Sequence, residues 1–210
     1  MQKLYFLFTI ILFTAQCLSA QGNYQLALEA MQKSYFPLAI EYFTKTLEQE
    51  KNNSDIYYNR ALCYVKVEKH QNAITDFLKS IELDKEQPDY YYACSLSESI
   101  LGYFENSNEH LKHALKLSPN NSEYYYLIAL NNYYSRDYKD AIFNYKKVLE
   151  IDPQDLRAIY GIGIIHRIER NYKEATHYLN QFLGLIEKDH HLKDEVERLL
   201  KEMQKEILEQ

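Results

Sequence analysis

The chain has 210 residues, 30 acidic against 24 basic side chains and a formal net charge of −6. No basic stripe runs through it, which sets nucleic acid aside as a partner. Four prolines and five glycines supply no linker composition, and 14% aromatic residues, with 21 Tyr and no Trp, argue against disorder.

Residues 1–20, MQKLYFLFTIILFTAQCLSA, place Lys3 ahead of an apolar run from Leu4 to Phe13, followed by Ser19-Ala20. That is the layout of a secretory signal cleaved after Ala20, too short for a comfortable membrane span. An uncleaved N-terminal anchor is the alternative, because Leu18 is only tolerable three residues before the cut. A lipid anchor through Cys17 is weaker, since Gln16 stands where a small residue is wanted. Loss of Lys3 with the leader takes the net charge from −6 to −7. The mature chain keeps Cys63 and Cys94, both inside helical apolar patterns and read as buried free thiols. An oxidising compartment would permit a disulfide between them, but two cysteines are no framework.

From Ala20 onward the sequence repeats. Ser122 to Asp155 reads as two amphipathic helices joined by a polar turn, and a shift of 34 residues gives a degenerate copy. Ala141, Ile142, Tyr145 and Leu149 fall on Ala73, Ile74, Phe77 and Ile81, and again on Ala39, Ile40, Phe43 and Leu47. The predicted units are 20–53, 54–87, 88–121, 122–155 and 156–189. Small residues recur at the eighth place (Ala27, Ala61, Ser95, Ala129, Gly163) and the twentieth (Ala39, Ala73, Ser107, Ala141, Ala175). Large ones recur at the twenty-fourth: Phe43, Phe77, Leu111, Tyr145 and Leu179. This alternation lets antiparallel helices approach closely and interdigitate. Asn52-Asn53-Ser54 and Asn120-Asn121-Ser122 supply caps before first helices, while Gly102-Tyr103 and Arg136-Asp137 mark inner turns. Residues 190–210 read as a separate helix. Its stripe of Leu192, Val196, Leu199, Leu200, Met203, Ile207 and Leu208 suits a cap on the last unit. A coiled-coil or partner helix is the main alternative for this segment, and a membrane-surface helix a lesser one, since acids are frequent on its polar face.

The pattern resembles the tetratricopeptide repeat. Tyr57, Tyr91 and Tyr125 hold its first aromatic place, Leu26 and Ile128 its Leu, Gly163 its Gly, Tyr64 its next Tyr, and Pro119 and Pro153 its final Pro. Arg60 and Cys94 depart from it at the Leu place, Asn23 and Ile159 at the first aromatic, and Lys51, Lys85 and Glu187 at the Pro. The resemblance implies an all-α, right-handed solenoid of five helix-turn-helix repeats plus a C-terminal capping helix. It also implies a module that binds proteins, with no cofactor.

Helical geometry gives the first helix a second apolar stripe. The fifth place is tyrosine in every unit (Tyr24, Tyr58, Tyr92, Tyr126, Tyr160), and the ninth reads Leu28, Leu62, Leu96, Leu130 and Ile164. This stripe lies roughly 115° around the helix from the one expected to pack within the hairpin, so it must face something else. By the resemblance, these places line a concave groove that takes a peptide or partner segment. Asp55, Asp89, Glu123 and Arg157 at the second place form its rim, and Tyr133 and Tyr134 widen it. Tyrosine suits recognition through its apolar area, hydroxyl handle and few rotamers. The same tyrosines could instead be architectural, being common at this place in the family. Family members that clamp a terminal carboxylate use Lys at the fifth place and Asn at the ninth; Tyr and Leu here argue against that role.

No catalytic constellation is evident: no Gly-rich phosphate loop, no nucleophile elbow. His110 and His113, or His190 and His191, would need a carboxylate or cysteine at ligand spacing to hold a metal, and none is visible in the sequence. The reading is a non-catalytic, exported interaction scaffold, periplasmic or envelope-facing, with a protein or peptide partner and no membrane span in the mature chain. Two further readings remain beside it: a structural subunit of an envelope assembly that uses its convex face or terminal helix, and a glycan binder that stacks sugars on its tyrosines.

Overall fold

In the computed structural model, residues 20–187 and 189–209 are described, and they form eleven helices with no strand among them. The predicted leader falls on residues 1–19, outside the described residues. The helices are α1 (20–32), α2 (Phe36–Gln49), α3 (Ser54–Lys66), α4 (His70–Leu83), α5 (Pro88–Ile100), α6 (Phe104–Leu117), α7 (Ser122–Tyr134), α8 (Tyr138–Ile151), α9 (Leu156–Ile168), α10 (Tyr172–Leu185) and α11 (Lys193–Leu208). They make five antiparallel pairs and a C-terminal helix. First helices start at Ser54, Pro88, Ser122 and Leu156, steps of 34 residues.

Local chemistry sets this phase. The side chains of Asn53 and Asn121 accept the backbone N–H of Asp55 and Glu123, and Asp155 accepts those of Arg157 and Ala158, each satisfying orphan donors at a helix start. Pro88 opens α5, where its missing N–H costs nothing. All five hairpins turn on the fifteenth residue of the repeat: Ser34, Glu68, Gly102, Arg136 and Arg170 have φ between 59° and 79°. The next residue donates to the carbonyl five back: Tyr35 to Ala30, Lys69 to Tyr64, Tyr103 to Glu98, Asp137 to Asn132 and Asn171 to His166, at 2.8–2.9 Å. This is the left-handed helix stop that closes the last carbonyls. Only Gly102 is free of a Cβ there.

The chain divides into two compact units, one ending at Leu117 and the other beginning at Ser118. In the N-terminal unit, Ala27, Ala39 and Phe43 form one core with Ile56 and Cys63, and Ala61, Ala73 and Phe77 form another with Cys94. In the C-terminal unit, Ala129, Ala141 and Tyr145 pack with Ile162, and Leu179 and Phe182 pack with Val196, Leu199 and Met203 of α11. Gly163 is there because a Cβ would stand 2.8 Å from the Leu179 side chain. On α11 the predicted stripe divides: Val196, Leu199 and Met203 are buried, while Ile207 and Leu208 are exposed. Glu202 and Glu206 tie α11 to Arg167 and to the Tyr172 hydroxyl.

The departure at Arg60 has a partner that the sequence pattern does not announce. Its guanidinium donates to both Asp76 oxygens, at 2.7 and 2.8 Å, and to Thr44 Oγ1 at 3.0 Å. Both ionic side chains are largely buried. Burial opposes the Arg60 charge, but the Asp76 hydrogen bonds outweigh it and hold its pKa above the usual value. Cys63 and Cys94 are both free and buried.

The packing phase sets unequal tolerances on one helix. Ala141 is fully buried and Lys139 exposed. Ala141→Leu is expected to cost about 1–3 kcal/mol by overpacking the hairpin, and Lys139→Leu less than about 0.5 kcal/mol, as read by urea unfolding.

Candidate functional site

The fifth-place tyrosines are half-buried in all five first helices. One side of the ladder rests on its own hairpin: Tyr24 on Phe43 (6.0 Å between centroids), Tyr58 on Phe77 (5.7 Å), Tyr126 on Tyr145 (5.9 Å) and Tyr160 on Phe182 (5.4 Å). The expectation of two separate stripes is thus corrected. In repeats one, two and four the twenty-fourth-place ring meets the ladder ring, and in repeat five Phe182, three residues further on, takes that part, so these four tyrosines both brace their hairpins and present a remaining face. Burial raises the phenol pKa of Tyr24, Tyr126 and Tyr160, with Asp55 adding to it at Tyr24 and Glu195 at Tyr160. All three remain neutral hydroxyls near pH 7.

In the C-terminal unit the stripe encloses an apolar hollow of about 490 Å³. Predicted residues Tyr126, Leu130, Tyr133, Arg157, Tyr160 and Ile164 line it, Tyr145 and Phe182 lie at its floor, and His190, His191 and Leu192 add a further wall. Gly161 is needed beneath it, because a Cβ there would stand 2.7 Å from the Tyr145 ring. Tyr134 is exposed and meets Tyr133 edge-on at 5.5 Å. The wall from residues 190–192 escapes a repeat-based reading because these residues follow the last unit. Its only sequence signal is the His-His-Leu run at the helix junction.

Arg157 organises the hollow's edge. It donates to Glu123 at 2.5 and 3.0 Å and to Asp155 at 2.7 Å, and its guanidinium lies 4.3 Å from the Tyr126 ring centroid. These hydrogen bonds hold its pKa well above the usual value, with Glu123 contributing most. Burial alone would raise the Asp155 carboxyl, but the hydrogen bonds from Arg157 and the Ala158 N–H hold it below the ordinary value. The Glu123 charge is therefore taken up within the protein, so the rim is less acidic here than its composition implies.

In the N-terminal unit, Leu62 is half-buried, while Leu96, Asp55 and Asp89 are exposed. Tyr92, on α5 beside Asp89 and Leu96, is half-buried. Asp55 accepts the Tyr90 hydroxyl at 2.6 Å, and Tyr90 lies against Tyr58 at 4.7 Å. Burial and that bond push the Tyr90 phenol up to about 12. The buried third-place tyrosine thus occupies one of the two rim carboxylates of this unit.

The fold also joins residues that the sequence keeps apart. Cys94 and Glu98 on α5 and His110 on α6 place their ligand atoms within 4.8 Å of one another. The expectation that no cysteine or carboxylate accompanies the histidines is corrected at this point. The partner of His110 is not its neighbour His113 but the facing helix. Burial pushes the Cys94 thiol well above its ordinary pKa, with the Glu98 charge adding to the shift.

Among the described residues no helix is long and apolar enough to cross a membrane. The sequence model of the tetratricopeptide repeat matches residues 54–87 and 122–155. Human tetratricopeptide repeat protein 6 is 37% identical over 60 residues, which is 29% of this chain and 10% of the human protein's length. The structure of YrrB, described as a TPR protein with an unusual peptide-binding site, is 20% identical with a TM-score of 0.74, covering 84% of this chain and 90% of that one. A tetratricopeptide repeat protein from Parabacteroides merdae is 17% identical with a TM-score of 0.78, covering 88% and 74%. Both structural likenesses concern the fold.

Proposed function

Because this chain is a tetratricopeptide repeat protein, a family of interaction scaffolds that is generally non-catalytic, we propose that it binds a partner's extended segment on the Tyr/Leu stripe of the first helices of its C-terminal unit. The observation that carries this reading is the hollow of about 490 Å³ in the C-terminal unit, built from ladder residues. It has room for one or two large apolar side chains. Its walls are rigid rings already braced by their hairpins, so binding orders little of the protein. Tyr126, Tyr133 and Tyr160 give the segment flat apolar contact, with hydroxyls for its backbone. The described peptide-binding site of YrrB supports a peptide as the ligand class. With Glu123 satisfied by Arg157, selectivity at this end rests on the apolar side chain more than on positive charge.

The test is selection of extended peptides from a displayed library, followed by affinity measurement. Selected peptides are expected to share a large apolar residue. Leu130→Gln is expected to weaken them about tenfold or more, or about 1.4 kcal/mol, with helical circular dichroism unchanged. Affinity indifferent to Leu130→Gln would contradict the groove. One observation favours a second reading, an assembly contact through α11: Ile207 and Leu208 remain exposed at its C-terminal end. Assembly lost with Ile207→Asp and Leu208→Asp, but kept with Leu130→Gln, would select that reading.

Export is the corresponding proposal for location, resting on the leader pattern in residues 1–20. Protein recovered from the envelope or periplasm should begin at Gln21. An N-terminus at Met1 would point to the uncleaved anchor.

A further inference from the structure

The second and third repeats depart from the others at one shared slot. The slot pairs the seventh place of the repeat, on its first helix, with the twenty-third, on its second. It holds Leu26 with Tyr42, Ile128 with Asn144 and Ile162 with Tyr178 in repeats one, four and five. In repeat two it holds Arg60 and Asp76, an ion pair complete in itself. In repeat three it holds Cys94 and His110, with Glu98 one turn further along α5 from the cysteine. Cys94 is fully buried and Glu98 is 2% exposed. His110 Nδ1 lies 2.8 Å from Glu98 Oε2. The Tyr91 ring stands 6.2 Å from the His110 ring and stacks on His113 at 5.5 Å.

We propose that Cys94, Glu98 and His110 form a binding site for a divalent transition-metal ion of the zinc class. The donor set is one sulfur, one oxygen and one nitrogen, the types that zinc accepts in tetrahedral sites with bonds of about 2.0–2.3 Å. Such bonds place ligand atoms roughly 3.5 Å apart, and the three already lie within 4.8 Å of one another. Small side-chain rotations close that gap without moving either helix. Charge selects the valence: a thiolate and a carboxylate balance a dication, with imidazole as the neutral third ligand. A neutral ensemble suits a buried position, where an unpaired charge would be costly. The ion takes the place between Glu98 and His110 now bridged by their hydrogen bond; the proton of that bond passes from Nδ1 to Nε2, leaving a neutral imidazole with Nδ1 free to ligate, and the Cys94 proton leaves to solvent. A water completes the fourth position from the partly exposed His110 side. Ligands from both α5 and α6 thereby clamp the hairpin.

Titration of the protein with Co²⁺ alone tests this. About one equivalent should bring up the thiolate-to-cobalt charge-transfer band, and Zn²⁺ should displace it. Cys94→Ser should abolish the band, whereas Cys63→Ser should leave it. His110→Ala should weaken uptake about tenfold or more. Zn²⁺ should also raise the Tm by several degrees, a shift lost in Glu98→Gln, which provides a reading should Cys94→Ser fail to fold. Absence of the charge-transfer band together with an unchanged Tm in Zn²⁺ would overturn the proposal. So would a band that survives Cys94→Ser and vanishes in Cys63→Ser.

Discussion

Asp76→Ala is expected to destabilise the protein by about 3–5 kcal/mol, while Arg60→Leu combined with Asp76→Ala recovers most of that loss. The reasoning starts from burial. Asp76 is 4% exposed, and it accepts two short hydrogen bonds from one guanidinium. Removing the carboxylate leaves the Arg60 charge in a largely dry site, still bonded to Thr44 Oγ1 but without its counter-ion, and the uncompensated charge dominates the cost. Leucine at residue 60 removes that charge and restores the residue type that Leu26 supplies at the same place in the first repeat. The coupling between the two substitutions should therefore be large and compensating. Urea unfolding of both singles and the double measures it. Equal loss in Asp76→Ala and in the double variant would show that the ion pair is not the reason these residues occupy the slot.

Phe77→Ala is expected to cost about 3–5 kcal/mol, and Phe143→Ala less than about 0.5 kcal/mol. Both are phenylalanines on second helices, at the twenty-fourth and twenty-second places of their repeats. Two residues turn the side chain about 200° around the helix. Phe77 is fully buried against Ala61, Ala73 and the Tyr58 ring. Phe143 is 58% exposed, with the Lys147 amine 5.8 Å from its ring centroid. Deleting the first ring leaves a cavity between two helices whose backbones cannot close it. Deleting the second removes surface already in water. Comparable losses at the two positions would contradict the 34-residue phase.

The hairpins were legible because their packing rule is local and repeated. A small residue must stand at the eighth and twentieth places wherever two helices approach, so Ala27, Ala61, Ala129, Ala141 and Ala175 print the phase directly. The inner turns were less legible. All five use a left-handed residue, but only Gly102 carries the residue type that advertises one; Ser34, Glu68, Arg136 and Arg170 tolerate the strain because the following N–H is bonded back into the helix. At the site, the ladder positions could be read from helical angle. Their double duty could not, since it depends on the reach of Phe43, Phe77 and Tyr145 across the hairpin. Residues 190–192 and the Cys94, Glu98 and His110 cluster were hidden for different reasons. The wall lies after the last repeat, where the 34-residue pattern gives no guidance, and the cluster joins residues of facing helices, whereas the pair His110/His113 points along a single helix.

Methyl-resolved NMR during titration with a selected peptide tests the central claim, that the hollow of the C-terminal unit is where a partner is held. The Leu130 and Ile164 methyls should shift progressively with peptide, while those of Ile151 and Leu185, exposed on second helices, stay in place. Movement of Ile151 and Leu185 with Leu130 and Ile164 unchanged would contradict it.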